Sequence, residues 1–186
     1  RPDSGTSPPS LTDTACKFIA SSTFVLTKAP AVHESSGPDL TSGLLPCLEY
    51  AFKAVHVPDA GLSAAKAVLQ LCVHGTNLIL PTPGVVAGLI AATVQLVSAN
   101  SEIPAAAVLS CIEGVTRLAV ANRDFASAAA AISQLSGSLV RELERACAFT
   151  MSNSGHRRER VEHILSWLAQ MVRFCDSAPM GPGNTH

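Results

Sequence analysis

The strongest constraint on this chain is a repeating helical signal. Alanine- and leucine-rich stretches begin near Leu11, Ala60, Ile103 and His156. Their intervals of roughly 40–55 residues, each with a further helical stretch between, match stacked two-helix units. Such a stack presents long surfaces to other macromolecules rather than one enclosed pocket. Hydrophobic residues make up 47% of the chain but aromatic residues only 4%. The core must therefore be built from Ala, Val and Leu, whose small side chains suit closely approaching helices.

Periodicity and punctuation predict seven helices. Ser10, with Asp13 three residues on, caps the first, Leu11 to Lys28, whose stripe is Leu11, Ala15, Phe18, Ile19, Ser22, Val25 and Leu26. A polar loop from Ala29 to Leu40 ends it. The second, Leu44 to His56, places Pro46 in its first turn and Leu45, Leu48, Phe52 and Val55 on one face. After Pro58, the third helix, about Gly61 to Thr76, turns Leu62, Ala65, Leu69 and Cys72 inward and Lys66 outward. Pro81, Pro83 and Gly84 precede the fourth, Val85 to Ala99, with Val86, Leu89, Ile90, Thr93 and Leu96 inward. Pro104 opens the fifth, which buries Val108, Cys111, Ile112, Val115 and Leu118 and stops at Asn122.

Asp124 caps the sixth helix, Phe125 to about Phe149, with Ala128, Ile132, Leu135, Leu139, Leu143 and Ala146 on its inner line. Gly137 within it is read as a close approach of a neighbouring helix. The last helix carries Val161, Ile164, Leu165, Leu168, Met171 and Val172, with Trp167 in the core. The expected fold is all-α, a HEAT-like α-solenoid of about three antiparallel helix pairs plus one extra helix, wound as a right-handed superhelix. Residues 11–175 form the repeats; 1–10 and 176–186 are expected to be disordered.

Several function classes find no support. With 13 basic and 14 acidic residues the formal net charge is -1, so there is no broad field to draw nucleic acid or anionic lipid. The uncharged run from Ala67 to Ser101 is interrupted by Asn77, Pro81 and Pro83, leaving less than the ~20 continuous residues a bilayer span needs. The six cysteines lie 25 to 39 residues apart without a CxxC pair, which favours buried, reduced thiols inside a cell. No zinc spacing among the histidines, Walker loop, Rossmann fingerprint or GxSxG elbow occurs. The expectation is therefore no enzyme and no cofactor or metal.

A family resemblance emerges from the order of residues. Leu44 to Cys72 reads LLPCLEYAFKAVHVPDAGLSAAKAVLQLC: an apolar helix, a short loop, then Leu62-Ser63-Ala64-Ala65-Lys66-Ala67-Val68-Leu69-Gln70-Leu71-Cys72. This resembles the mid-chain repeats of the importin-β superfamily (karyopherins), in its importin-13/transportin-3-like branch. Ile112-Glu113-Gly114-Val115 and the run Ala128 to Glu144 are similar to the next repeat, and Val161 to Phe174 to the helix after it. The resemblance implies a middle section of a nuclear transport receptor that shuttles between nucleus and cytoplasm and is monomeric at full length. It would bind protein cargo, the Ran GTPase and Phe-Gly nucleoporins, with no direct nucleic-acid contact and no membrane insertion. Gly137-Ser138 stands where the family more often has a proline, and the chain lacks the family's strong acidity. A generic helical-repeat scaffold or trafficking adaptor is the alternative.

One charged cluster stands out, His156-Arg157-Arg158-Glu159-Arg160. It begins a helix, where the backbone dipole disfavours positive charge. Arg157, Arg158 and Arg160 are therefore the candidate contacts for an acidic partner.

Overall fold

The computed structural model describes residues 10–28, 40–82, 84–98, 103–148 and 154–176. Among them the protein is all-helical. Eight helices follow in order: α1 (Leu11–Lys28), α2 (Leu40–Ala54), α3 (Gly61–His74), α4 (Thr76–Ile79), α5 (Val85–Ser98), α6 (Ala105–Val120), α7 (Phe125–Ala148) and α8 (Ser154–Asp176). The two flanks expected to be disordered fall almost wholly outside the described residues, as do the side chains of Val25 and Leu26.

The helix starts follow from local chemistry. The Asp13 backbone N–H donates to Ser10 Oγ at 3.2 Å, and the Asp13 carboxylate pairs with Lys17 one turn on at 2.7 Å. Asp124 Oδ1 accepts the Ala126 N–H at 3.1 Å while the Ser127 hydroxyl donates to Oδ2 at 2.5 Å, closing the start of α7. Pro104, with no N–H to lose, precedes α6 in an extended conformation. Between α2 and α3 the chain turns tightly, because a Cβ at Gly61 would lie 2.8 Å from the Val55 carbonyl oxygen.

Three departures from the sequence expectation have physical causes. α2 starts at Leu40, so Pro46 lies inside the helix rather than in its first turn. Pro46 is exposed, where water can serve the carbonyl that its missing N–H leaves over. The third helix stops at His74 and Gly75 caps it, a position that admits no side chain, since a Cβ there would sit 2.5 Å from the Leu71 carbonyl oxygen and 2.9 Å from Leu44 Cδ1; the single turn α4 follows. On α1 the expected stripe is inward only in part: Ile19 packs against the core, but Leu11 and Phe18 are exposed, and Asp13, Cys16 and Thr23 are buried. The inward face combines Cys16, Ile19 and Ala20 with two polar groups that find partners: Asp13 is hydrogen-bonded by Ser63 of α3 and the Thr23 hydroxyl donates to the Ile19 carbonyl at 2.7 Å.

The contacts also show which way the helices run. Asp13 and Ser63 join the first turns of α1 and α3. A Cβ at Gly61 would lie 3.9 Å from Pro104 Cδ, joining the starts of α3 and α6. The Arg117 guanidinium sits 5.5 Å from the centre of the Phe174 ring, joining the ends of α6 and α8. Thus α1, α3, α6 and α8 run in one direction, each packed on the next. Val86 and Ala87 share a cleft with Ser127 and Ala128, so the starts of α5 and α7 lie together; Ala119 and Asn122, from the end of α6 and just beyond, line the same cleft. α5 and α7 therefore run parallel to each other and opposite to α6.

Two apolar clusters result. The larger joins α1, α2, α3, α5 and α6 through residues such as Leu48, Val68, Leu71, Cys72, Ile90, Cys111 and Leu118. The smaller contains Val97, Val108, Ile112, Leu135, Leu139, Ile164, Trp167 and Met171. α6 contributes to both, which agrees with the inward residues read for it. Gly114 lets it approach α3: a Cβ there would meet Leu69 Cα at 3.1 Å and Cys72 Cβ at 3.3 Å. Gly137 has no such neighbour, its nearest being Arg141 Nη1 at 3.8 Å, so the close approach expected there does not occur. The two glycines thus give opposite outcomes. Gly114→Val is expected to destabilise by about 1–3 kcal/mol through overpacking, and Gly137→Ala to stabilise by about 0.5–1 kcal/mol through helix propensity, both read from urea unfolding midpoints.

Candidate functional site

The basic cluster at the start of α8 is divided by helical phase. Arg158 is exposed and its Nε donates to Glu162 Oε1 at 2.8 Å, a pair that also raises its own pKa. The side chain of Arg157 lies outside the described residues. Arg160, two residues after Arg158, turns inward. It donates to the backbone carbonyl of Val97, approaches Glu142 Oε2 at 4.0 Å, and places its guanidinium 5.5 Å from the centre of the Trp167 ring.

These three contacts explain the local packing. Val97 belongs to the last turn of α5, whose final carbonyls have no helical partner, and a cation is favourable there. Glu142 of α7 also pairs with Arg145. Trp167 is buried, as read from the sequence, and His163 stacks on it with ring centres 6.2 Å apart and planes 17° apart. Arg160 thereby links the end of α5 to α7 and α8, whereas Arg158 and Glu159 face solvent.

A second site has no counterpart in the sequence reading. The cleft between α5 and α7, about 330 Å³, has walls from Val86, Ala87, Ile90, Ala128, Ala130 and Ala131, with Thr82, Asn122, Ser127 and Gln134 as its polar groups. Among the described residues no charged side chain lines it. The available signal was the run Ala128–Ala131 at the start of a helix: methyl groups leave a groove where longer side chains would fill it. The polar groups are partly engaged, since Asn122 Oδ1 accepts the Asp124 N–H at 3.0 Å and Ser127 bonds Asp124. Its bonds from Ser127 and Ala126 hold the Asp124 carboxyl below the usual carboxylate range.

None of the six cysteines is bridged. Burial pushes the Cys72 thiol up to about 12, and pushes Cys111 higher still, with Cys72 beside it adding a smaller effect in the same direction. These thiols pack the α3–α6 contact. Among the described residues no three His, Cys, Asp or Glu side chains gather as a metal site, and no helix is long and apolar enough to cross a membrane. Gly84 and Gly88 form a GxxxG pair in name alone: a Cβ on either would meet nothing within 4 Å, so among the described residues no helix packs on them. Gly84 adopts a φ of 77°. No protein-family model, curated protein or solved structure matches the chain.

Two outcomes follow. Arg160→Ala should lower stability by about 1–3 kcal/mol, by leaving the Val97 carbonyl without its charged donor and Trp167 without its cover, whereas Arg158→Ala should leave the unfolding midpoint unchanged. Stability should also fall as pH rises above 9, because the unfolded thiols ionise from about 9.0 while Cys72 and Cys111 stay protonated in the fold, so the unfolded chain binds fewer protons. Urea midpoints between pH 7 and 10.5 test this; a Cys72→Ala/Cys111→Ala double variant should show the flatter profile.

Proposed function

We propose that the chain is a two-layer stack of HEAT-type helix pairs serving as part of a nuclear transport receptor, which holds protein cargo, the Ran GTPase and Phe-Gly nucleoporins on its helical surfaces. The helix directions carry this reading. α1, α3, α6 and α8 run one way, each against the next, while α5 and α7 run the other. An up-and-down bundle sets neighbouring helices antiparallel around one core, but a stack of helix pairs sets each first helix parallel to the first helix of the next pair. The segment that bears the receptor resemblance, Leu44 to Cys72, supplies most of α2 and α3, one such pair with its short connection.

The α5/α7 cleft has a place in this reading. Its alanine walls accept an uncharged, apolar side chain of a bound protein segment, and Thr82, Asn122 and Gln134 offer groups for the segment's backbone. Small, repeated interfaces between helix pairs let curvature adjust in many small steps as partners exchange.

Ran separates transport from a helical scaffold of any other kind. The full-length protein is expected to bind GTP-loaded Ran and release its cargo, with GDP-loaded Ran doing neither. Ala87→Glu together with Ala130→Glu, two exposed positions on the cleft, should weaken cargo binding about tenfold without changing the circular dichroism spectrum. A bound set unaffected by GTP-loaded Ran would remove the transport reading and leave a scaffold.

A further inference from the structure

α7 changes character along its length. Residues 125–134 form one wall of the cleft, opposite Val86, Ala87 and Ile90 of α5. Among the described side chains of this part, Ala128 and Ala131 are buried and Ile132 is half-buried, the others being exposed. Two methyl groups bury little apolar area, so this wall is lightly held. Leu135 and Leu139, by contrast, are 2% and 0% exposed within the smaller apolar cluster. Beyond them Leu143 packs on the same cluster and Glu142 lies 4.0 Å from Arg160 of α8. The helix is loosely packed before Leu135 and anchored after it.

The boundary between the two parts carries Ser136, Gly137 and Ser138. Glycine leaves the backbone unrestricted, and packing does not account for it here, the nearest neighbour of a Cβ being Arg141 Nη1 at 3.8 Å. The Ser138 hydroxyl donates to the Gln134 carbonyl at 2.9 Å, and the Ser136 hydroxyl to the Ser133 carbonyl at 3.1 Å. Bonds of this kind compete with the helical ladder and bend helices, and Gly/Ser pairs are among the few places where sharp kinks form. The soft point thus falls between two buried leucines that can serve as its pivot.

We infer that residues 125–134 are a lid on the α5/α7 cleft, swinging about residues 136–138 while Arg160 and the buried leucines hold the rest of α7 in place. Opening moves the alanine wall away from α5 and widens the cleft; closing returns Ala128 and Ala131 to the core. The short connection after α6 keeps the start of the lid close to Asn122, so the swing is of small amplitude. The lid rests on the binding role proposed for the cleft only for what enters; the bend itself rests on the build of α7.

Hydrogen exchange of the unmutated chain tests the bend directly. Amides of residues 138–141 bond carbonyls 134–137 across it, and they should exchange faster than the amides on both sides of them. Gly137→Ala, which favours the straight helix, should slow them about fivefold. Exchange that slows steadily inward from the start of α7, the pattern of a fraying end, would overturn the lid. Spin labels test the motion. Nitroxides at Ala129 on the lid and Glu144 on the anchored part are each paired with one at Lys66 of α3, all three positions being exposed, with Cys47, Cys147 and Cys175 changed to Ser. Double electron–electron resonance should resolve two distances for the lid pair and one for the anchored pair, and Gly137→Ala should deplete the lid pair's minor distance. A single lid distance as sharp as the anchored one, or two whose ratio Gly137→Ala leaves unchanged, would overturn the proposal. Neither measurement uses Ran or cargo, so the lid and the transport reading fail separately.

Discussion

The packing of α3 on α6 is the contact from which the rest of the structure follows. α3 meets α1 and α2 as well, and α6 meets α5, α7 and α8, so helices on either side are positioned relative to each other through this one contact. Its closeness depends on what is missing at residue 114. With a hydrogen in place of a Cβ, the α6 backbone approaches Leu69 and Cys72 to within van der Waals distance, and the alanines Ala64, Ala65, Ala67 and Ala107 are fully buried. Short side chains give up hydrophobic area, roughly 25 cal/mol for every Å² not buried. Part of that loss is offset by the many short-range dispersion contacts that close backbones make. A core with few aromatic residues is therefore sensitive to added volume, because there is little long, flexible side chain in it to move aside.

Legibility in the sequence depends on how many neighbours a helix has. α6 is legible, Val108, Cys111, Ile112, Val115 and Leu118 all being buried, because its apolar residues are numerous enough to mark the inner face. For α3 the expected stripe is too narrow and partly misplaced, Leu62 being exposed. Ala64, Ala67, Val68 and Leu71 are buried beside the expected Ala65 and Cys72, since a helix surrounded by others has more than one inner face. α1 is legible only in part, Ile19 packing inward while Leu11 and Phe18 face solvent. A stripe rule counts apolar residues and assumes they face inward, but α1 buries a carboxylate and a hydroxyl whose partners, Ser63 and the Ile19 carbonyl, satisfy them. Gly114 and Gly137 look alike in a sequence; only the position of the neighbouring helix distinguishes them.

The candidate sites are legible in part for a related reason. A cluster of arginines is visible as charge, yet successive side chains on a helix point 100° apart, so Arg158 and Arg160 enter different environments. The charge predicts a partner; the phase gives Arg160 one within the fold, at the end of α5. The α5/α7 cleft is hidden because it is made by the shortness of Ala87, Ala128, Ala130 and Ala131. Sequence patterns register the groups that are present. A groove between two helices is defined by volume that no side chain fills, and it exists only once both helices are placed.

Charge arrangement bears on how such surfaces choose partners. Four described ion pairs, Asp13 with Lys17, Glu49 with Lys53, Glu113 with Arg117 and Arg158 with Glu162, join residues four apart on one helix. Such pairs contribute little stability in water, but each cancels most of its own field within a few ångströms. A surface neutralised in this way exerts weak long-range attraction, so encounter is not accelerated by steering and depends little on salt below the scale of direct contacts. In the proposed binding role, discrimination would come after encounter, from the fit of apolar side chains into features such as the uncharged cleft. Selectivity of that kind resides in dissociation rather than association, so under that proposal the decisive differences between partners would lie in how long they stay.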